Sequence, residues 1–388
     1  MLIPLVVAAA LMNAAMVAAS AVSTILVADD LSAGLAGLPN TAGVLGTAAG
    51  AVAVGRWSAR HGRAQALRTG YGISVAGAAL TVLAAVGAPV LLLFAGMFLL
   101  GAGNAASLLS RYAAADAAAP ARRAAAMGTV VWASTAGAVG GPFLLEPAQA
   151  AATSAGLPAL SGPFLLAVAA AFSALLAASR IRPQPAAAAV DAAPDLPAPR
   201  TPLVPVGVML VGHLVMVAMT TSVPVHAHHQ GQSLGALGLM LSFHTLGMFA
   251  LSPVTGWWID RAGPRPVMLT GLVTVMVSAT AMTLHGPTFT VVLFLLGYGW
   301  NLCYLGGSAS LRRSAGSPAA ATRLESRAEA WVWAVAALAT AASTGVFAEG
   351  GFRLLSTGSV VIALPLLVVV ARRRTVRTTA PDPERARG

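Results

Sequence analysis

Long apolar stretches separated by short gaps run through this chain, and positive charge lies in every second gap. All 23 basic residues of the Lys and Arg types are Arg. The alternate gaps and the tail hold Arg56, Arg60, Arg63 and Arg68, then Arg111, Arg122 and Arg123, then Arg180, Arg182 and Arg200, then Arg261 and Arg265, then Arg312, Arg313, Arg323 and Arg327, and finally Arg372, Arg373, Arg374, Arg377, Arg385 and Arg387. Arg353 alone lies in the other set of gaps. Because basic residues stay on the cytoplasmic side during insertion, this pattern predicts an even number of membrane spans with both termini in the cytoplasm.

The composition is also that of a membrane protein. The chain is 57% hydrophobic and 9% charged, with a mean hydropathy of +0.79, whereas soluble domains carry about 25% charged residues. The net charge of +11 is dispersed among the gaps, so it does not predict nucleic-acid binding. The single cysteine, Cys303, excludes an intramolecular disulfide and a cysteine-based metal cage. We expect a lipid environment and no cofactor.

Twelve stretches are long enough to cross a hydrocarbon core of about 30 Å. They cover 2–27, 37–57, 66–87, 89–112, 124–147, 161–180, 203–225, 234–259, 266–285, 288–311, 324–347 and 353–371. The first lacks a basic leader and is too long for a signal-peptide core, so we predict a retained span. A Pro- and Ala-rich linker follows the sixth. We therefore predict an all-α membrane protein with six-helix bundles at 1–182 and 203–376, a cytoplasmic linker at 183–202 and a cytoplasmic tail at 377–388.

The two halves repeat one another in sequence. GRWSARHGR, which begins at Gly55, returns as GWWIDRAGPR beginning at Gly256, an offset of 201. The same offset relates two further pairs, Arg111 with Arg312 and Trp132 with Trp333. LLGAGN at 99–104 and LLGYGWN at 295–301 lie in the fourth span of each half. Several matches in the same order indicate two homologous bundles.

On these features the chain resembles the major facilitator superfamily, whose fold relates two six-helix bundles by an axis along the membrane normal, with the substrate site between them. The family motif G-x-x-x-D-R-x-G-R-R, between the second and third spans, is matched well from Gly256 to Arg265. The first copy has Ala59 at the Asp position. The resemblance, which covers residues 1 to 376, implies a secondary transporter that works by alternating access and is not an enzyme.

The family motif forms a latch on the cytoplasmic side, in which a glycine permits a close helix contact and a carboxylate binds a helix N-terminus. The resemblance places this latch at Gly55, Arg60, Arg63, Gly256, Asp260, Arg261, Gly263, Arg265 and Glu325. Since Ala59 has no carboxylate, we expect the latch to depend on Asp260 acting near Arg122 and Arg123. Glu325 and Glu329 are candidate partners of Arg60 and Arg63. The alternative is that all these residues are solvated loop charges.

A second family feature, an Arg in the fourth span that is often tied to proton coupling, is replaced here by Met97. Arg111 lies nearer the cytoplasmic end, where we predict that it closes a loop with Tyr112 and Asp116. We therefore do not expect proton coupling by the usual route of the family.

The fifth span resembles the G-x-x-x-G-P core of the family's exporter motif at Gly137, Gly141 and Pro142, although the trailing glycine pair is missing. Glycines four residues apart permit close helix packing, and the proline introduces a kink. This segment favours an exporter over an importer.

Polar side chains within spans are costly in lipid and usually face a cavity. The candidates for the substrate cavity are Asn13, Asn104, Trp132, His213, His244, Tyr298, Asn301 and Tyr304. The family fold lines its cavity with the first, fourth, seventh and tenth spans, which favours Asn13, Asn104, His213, Asn301 and Tyr304. For each residue, a hydrogen bond between helices is the alternative. No Asp or Glu lies in the middle of a span, so we expect a neutral or mildly amphipathic organic substrate.

Three histidines, His226, His228 and His229, follow the seventh span, and Asp29 and Asp30 end the first. These spans are partners across the pseudo-twofold axis, so we predict that the five side chains form an outer gate. Histidine, with an ordinary pKa of about 6.5, would make that gate pH-sensitive. The alternatives are a plain exposed loop and a metal site, for which carboxylate or cysteine ligands are lacking locally.

These features predict a monomeric secondary transporter of the bacterial inner membrane that exports a small organic molecule and is coupled to protons. A proton-linked nutrient importer is the second interpretation. A membrane receptor or an intramembrane enzyme is the alternative from another class, but the chain has no nucleotide-binding loop, H-E-x-x-H motif or serine–base arrangement.

Overall fold

The computed structural model describes residues 2–30, 37–181, 202–223, 234–284 and 288–372. Within these ranges the chain is helical, with no β-strand. The first half contains α1 (Leu2–Asp30), α2 (Leu38–His61), α3 (Arg63–Ala85), α4 (Leu91–Ala117), α5 (Arg123–Phe143), α6 (Leu145–Ser154) and α7 (Ser161–Ser179). The second half contains α8 (Leu203–Thr221), α9 (Leu234–Phe249), α10 (Ser252–Ala262), α11 (Pro264–Ala281), α12 (Phe289–Arg313) and α13 (Pro318–Arg372). The predicted all-α fold is confirmed.

Each of the twelve apolar stretches lies in one or two of these helices, because in lipid a helix satisfies its own backbone polar groups. The eleventh and twelfth stretches both lie in α13, which is broken at Gly351 (φ 58°, ψ −154°) into arms 318–350 and 352–372. Seven of the described helices, or eight if a bent pair counts as one span, are long and apolar enough to cross a membrane. Twelve spans therefore remain a prediction.

The internal repeat is visible in the backbone. Gly62 joins α2 to α3 with φ 85° and ψ 156°, and Gly263 joins α10 to α11 with φ 84° and ψ 167°. A positive φ is readily adopted only by glycine, so each copy of the motif requires glycine at its sharp turn. The two motif copies therefore fold in the same way.

Corresponding helices also make corresponding close contacts within each half. A methyl group on Gly46 of α2 would lie 2.0 Å from the Phe98 carbonyl oxygen of α4, and one on Gly247 of α9 would lie 2.1 Å from the Phe294 carbonyl oxygen of α12. Small residues let membrane helices approach to backbone contact. Within each half, glycine thus sets the spacing between corresponding helices.

The halves contact each other mainly through two helix pairs, α2 with the first arm of α13 and α5 with α10. Large apolar side chains such as Ile3, Leu91 and Val291 are exposed on the outside of the helices. Such a surface suits lipid rather than water. Polar contacts between the halves are concentrated where the Arg residues lie, which we call the arginine-bearing end.

Candidate functional site

Asp260, at the end of α10, binds the N-terminus of α5 in the other half. Its Oδ1 accepts a hydrogen bond from the Ala124 amide (3.0 Å), and its Oδ2 accepts one from the Ala125 amide (2.8 Å). Since α5 begins at Arg123, these amides belong to the first turn and have no carbonyl partner within their own helix. The carboxylate therefore satisfies two free donors and the positive end of the helix dipole. The family motif predicts this contact of Asp260 with the start of α5.

The equivalent contact of the first motif copy lacks a free helix end. Gly55 lies against Ser326, and Ser326 follows Ala125 by the repeat offset of 201. Here α13 begins at Pro318, two turns earlier, so the amides near Ser326 already bond within the helix. A carboxylate at Ala59 would find no free donor. The absence of the Asp from the first copy is consistent with this geometry.

Four charged side chains from both halves form a charge network near Gly55. From the first half, Arg63 contacts Asp116 (Nε to Oδ2, 2.8 Å). Across the interface it pairs with Glu325 (2.8 Å) and donates to Thr322 Oγ1 (3.1 Å). From the second half, Arg312 pairs with Glu325 (2.7 Å) and with Asp116. Each acid lies between two arginines, so the network links the halves by charge alternation.

A second polar cluster lies deeper in the interface. Arg111 of α4 and Glu329 of α13 form an ion pair in which their side chains are 1% and 0% exposed. Arg111 donates to the hydroxyls of Tyr304 (2.6 Å), Tyr112 (2.8 Å) and Ser308 (3.1 Å). The Tyr304 hydroxyl in turn donates to Glu329 (2.9 Å). The ion pair between Arg111 and Glu329 therefore connects the two halves inside this buried cluster.

These contacts correct two assignments made from the sequence. Arg111 crosses the interface to Glu329 instead of closing a loop with Asp116, whose partners are Arg63 and Arg312. Arg60 is exposed and has no ion pair within the described part of the chain. The two acids predicted as its partners bind other arginines: Glu325 pairs with Arg63 and Arg312, and Glu329 pairs with Arg111.

The remaining latch arginines stay within the second half. Arg265 donates to the carbonyl oxygens of Val370 (3.2 Å) and Ala371 (2.6 Å) at the end of α13. The Arg261 guanidinium lies 5.7 Å from the centre of the Trp257 ring. Cations at a helix C-terminus are favourable, so Arg265 holds α13 in place instead of bridging the halves.

Two cavity candidates, His213 and Tyr304, belong to an aromatic cluster in the second half. Trp300 donates to His213 Nδ1 (2.8 Å) and stacks on Tyr304 with 4.7 Å between ring centres. Trp333 and Phe249 approach edge-on, Trp333 at 5.4 Å from His213 and Phe249 at 5.9 Å from Trp300. The cluster runs from α8 to the Arg111–Glu329 pair through Tyr304. In this conformation His213, Trp300 and Tyr304 are buried, and the rings of Trp300 and Tyr304 pack on each other.

Two other candidates form the predicted alternative, hydrogen bonds between helices. The Asn301 side chain is 0% exposed, donates to the Met248 carbonyl and to Ser252, and accepts from Thr255. His244 contacts the Leu293 carbonyl through Nδ1 (2.9 Å). These bonds occupy their polar atoms in helix packing.

The other four candidates do not form one cluster. Trp132 is 48% exposed, Asn104 is buried, and Asn13 and Tyr298 are half-buried. They therefore remain predictions as substrate contacts.

The segment that resembles an exporter motif lies where α5 packs on α1. A methyl group on Gly137 would lie 2.1 Å from the Ala10 carbonyl oxygen, and one on Gly141 would lie 3.3 Å from Val17. After Gly141 and Pro142, residues 145–154 are bent by 52° from residues 120–141. The bend directly follows Gly137 and Gly141, which is where a hinge at this segment would lie.

The outer gate predicted at His226, His228 and His229 lies outside the described residues. Asp29 and Asp30 end α1. The described residues contain no group of three or more His, Cys, Asp or Glu side chains that could hold a metal ion. The gate and its metal alternative both remain untested.

Together, an all-helical apolar chain, two repeated halves and an interface held by polar contacts define a two-bundle membrane transporter. The chain belongs to the Major Facilitator Superfamily, whose family model matches residues 5–231 and 206–388. It is 35% identical to the MFS-type transporter YdeG of Bacillus subtilis (strain 168), over 87% of this chain and 83% of the relative. It is 30% identical to the riboflavin transporter RfnT of Brucella anthropi, over 68% of each chain. The solved structure of the MFS transporter FucP in the outward conformation superposes with a TM-score of 0.73 at 14% identity, covering 96% of this chain and 99% of that one.

Proposed function

We propose that this protein is a secondary active transporter of the bacterial inner membrane that acts as a monomer and exports a small organic molecule in exchange for protons. The observation that carries the proposal is the chemistry of the interface. Ion pairs and one carboxylate at a helix N-terminus join the halves at the arginine-bearing end. The partly exposed contacts of the charge network can be exchanged for contacts with water when the halves separate, as alternating access requires.

Two features support the proposed direction of transport: the distribution of arginine along the chain and the bend at the end of α5. Arginine in alternate gaps supports a cytoplasmic location of the arginine-bearing end and of both termini. The bend after Gly141 supports the exporter interpretation over nutrient import. In this arrangement the described conformation is closed toward the cytoplasm.

The substrate class follows from the aromatic cluster. His213, Trp300 and Trp333 offer ring faces and edges rather than charge, which suits a planar, uncharged or mildly amphipathic molecule. The relative named as a riboflavin transporter makes riboflavin a sensible first compound to test. Riboflavin has the planar ring system that such a cluster would recognise.

The test is accumulation of a panel of planar compounds, riboflavin included, in everted membrane vesicles energised by respiration. An exporter loads such vesicles, and a protonophore abolishes the loading. Accumulation in right-side-out vesicles alone would instead identify an importer. Green fluorescence from a protein fused after Gly388, with no activity of a matching alkaline phosphatase fusion, checks that the tail is cytoplasmic.

Asp260→Asn is expected to impair transport much more than Ala59→Asp. Asparagine removes the charge that binds the α5 N-terminus, a contact of about 0.3–1 kcal/mol when exposed and up to about 2 when partly buried. This shifts the equilibrium between conformations severalfold. Ala59→Asp adds a carboxylate that has no free amide to bind. The measurement is the transport rate of the two variants at equal abundance in the membrane. Equal rates would contradict the role of Asp260 in the latch.

A further inference from the structure

The Arg111–Glu329 pair is the most deeply buried ion pair at the interface between the described halves. Its side chains are 1% and 0% exposed, whereas Arg63, Arg312 and Asp116 of the neighbouring network are 14%, 16% and 23% exposed. Water therefore screens the charge network but not this pair. Any conformational change that separates α4 from α13 must therefore break an ion pair between two buried charges.

The groups that surround Glu329 come from each neighbouring helix. Arg111 of α4 and Tyr304 of α12 contact Glu329 directly. Tyr112 of α4 and Ser308 of α12 are bonded to Arg111, and Glu325 lies one turn before Glu329 on α13. Glu325 is already bound by Arg63 and Arg312. Arg111 is thus the cation that neutralises Glu329.

Opening of the arginine-bearing end would separate the partners of this cluster unequally. Arg111 would leave with Tyr112, which lies on its own helix, while Glu329 would stay beside Tyr304 in the second half. An ionised carboxylate that loses its cation in a low-dielectric site is strongly unfavourable. A neutral carboxyl group beside the Tyr304 hydroxyl carries no such penalty. The open conformation therefore favours the protonated acid.

We propose that Glu329 is the proton-binding site of the transport cycle and that its protonation releases α4 and opens the arginine-bearing end. The step consumes one proton: a hydronium ion gives its proton to the Glu329 carboxylate and leaves water, and Arg111 keeps its charge. Loss of that proton to water restores the carboxylate, which pairs again with Arg111 and closes the end. This proposal rests on the proton coupling proposed above and names the residue that performs it.

The test needs no substrate. In a Cys303→Ala background, Ser326→Cys places a reporter at the contact with Gly55, where the wild-type serine is 5% exposed. The rate of N-ethylmaleimide labelling in purified protein, divided by the rate for the same protein unfolded in detergent, corrects for the changing thiolate fraction. We expect the corrected rate to rise as the pH falls.

The variants separate protonation from simple weakening of the interface. Glu329→Gln, a neutral mimic of the protonated acid, should label about tenfold faster at neutral pH and lose its pH dependence. Glu329→Asp should retain that dependence. Glu325→Gln is the matched control, because it removes an equally buried carboxylate on the same helix face. It should raise labelling at every pH and leave the pH dependence intact.

A pH-independent corrected rate in the protein with Glu329 would overturn the proposal, even if Glu329→Gln fails to fold. So would a pH dependence lost in Glu325→Gln and kept in Glu329→Gln. The vesicle experiment stands apart: protonophore-sensitive transport together with pH-independent labelling refutes only the role of Glu329. Transport that ignores the protonophore refutes the coupling itself.

Discussion

Arg111→Met is expected to lower the free energy of unfolding by about 3–5 kcal/mol, the usual cost of leaving one member of a buried ion pair without its partner. Methionine fills much of the arginine volume, so the loss comes from the unpaired Glu329 carboxylate rather than from a cavity. The measurement is unfolding by SDS in mixed micelles at neutral pH, followed by tryptophan fluorescence.

Arg312→Met is the matched control, because Arg312 is the repeat counterpart of Arg111. Arg312 is 16% exposed, and Arg63 remains to neutralise both Asp116 and Glu325 after its removal. We expect a loss of about 1 kcal/mol or less. An equal loss in the two variants would mean that burial does not decide the cost.

The double variant Arg111→Met with Glu329→Gln should recover most of the loss. Glutamine is uncharged and can still accept the hydrogen bond that Tyr304 donates to Glu329. Strong coupling between contacting residues is the expected departure from additivity. Additive losses would show that the two side chains do not act as a pair.

Features encoded locally were predictable from the sequence. The helices follow from apolar stretches, and the sharp turn at Gly263 follows from the motif. Both depend on residues close in the chain. The contact of Asp260 with the start of α5 joins residues 136 positions apart, and it was expected only from the family resemblance.

The Arg111–Glu329 pair was not predictable in this way, because 218 positions separate its members along the chain. Their meeting depends on how closely α4 and α13 approach, which no local pattern determines. Two signals did point toward it. Arg111 matches Arg312 in the repeat, and Glu329 lies four residues after Glu325, on the same helical face.

The start of α13 could not be located from hydropathy. The apolar stretch begins near residue 324, but the helix begins at Pro318, where Ser317 Oγ accepts a hydrogen bond from the Ala320 amide (3.2 Å). Hydropathy marks the part of a helix in lipid, whereas capping residues mark where the helix begins. The Ser317–Pro318 pair was the signal that would have located this helix start.

Gly256→Val is expected to stop the arginine-bearing end from closing. A Cβ at Gly256 would lie 2.4 Å from the Ala124 carbonyl oxygen and 2.7 Å from Ala125 Cα, so valine would collide with backbone. Backbone atoms cannot relieve such a collision by rotation about a side-chain bond. Overpacking of this kind costs about 1–3 kcal/mol, and here the cost falls on the closed conformation alone. The closed population should therefore decrease about ten- to a hundredfold.

Labelling of the Ser326→Cys reporter would detect this opening as faster reaction at neutral pH, together with loss of transport. Gly72→Val in α3 is the control for valine in a helix, since no atom lies within 4 Å of its would-be Cβ. Gly55→Val, read with a cysteine at Ala125, should have a comparable effect, because its Cβ would lie 2.1 Å from Ser326 Cβ, which is fixed to the backbone of α13. If Gly256→Val labelled no faster than Gly72→Val, the contact between α10 and α5 would have no part in closure. A larger effect at Gly55 than at Gly256 would instead place the decisive contact at α2 and α13.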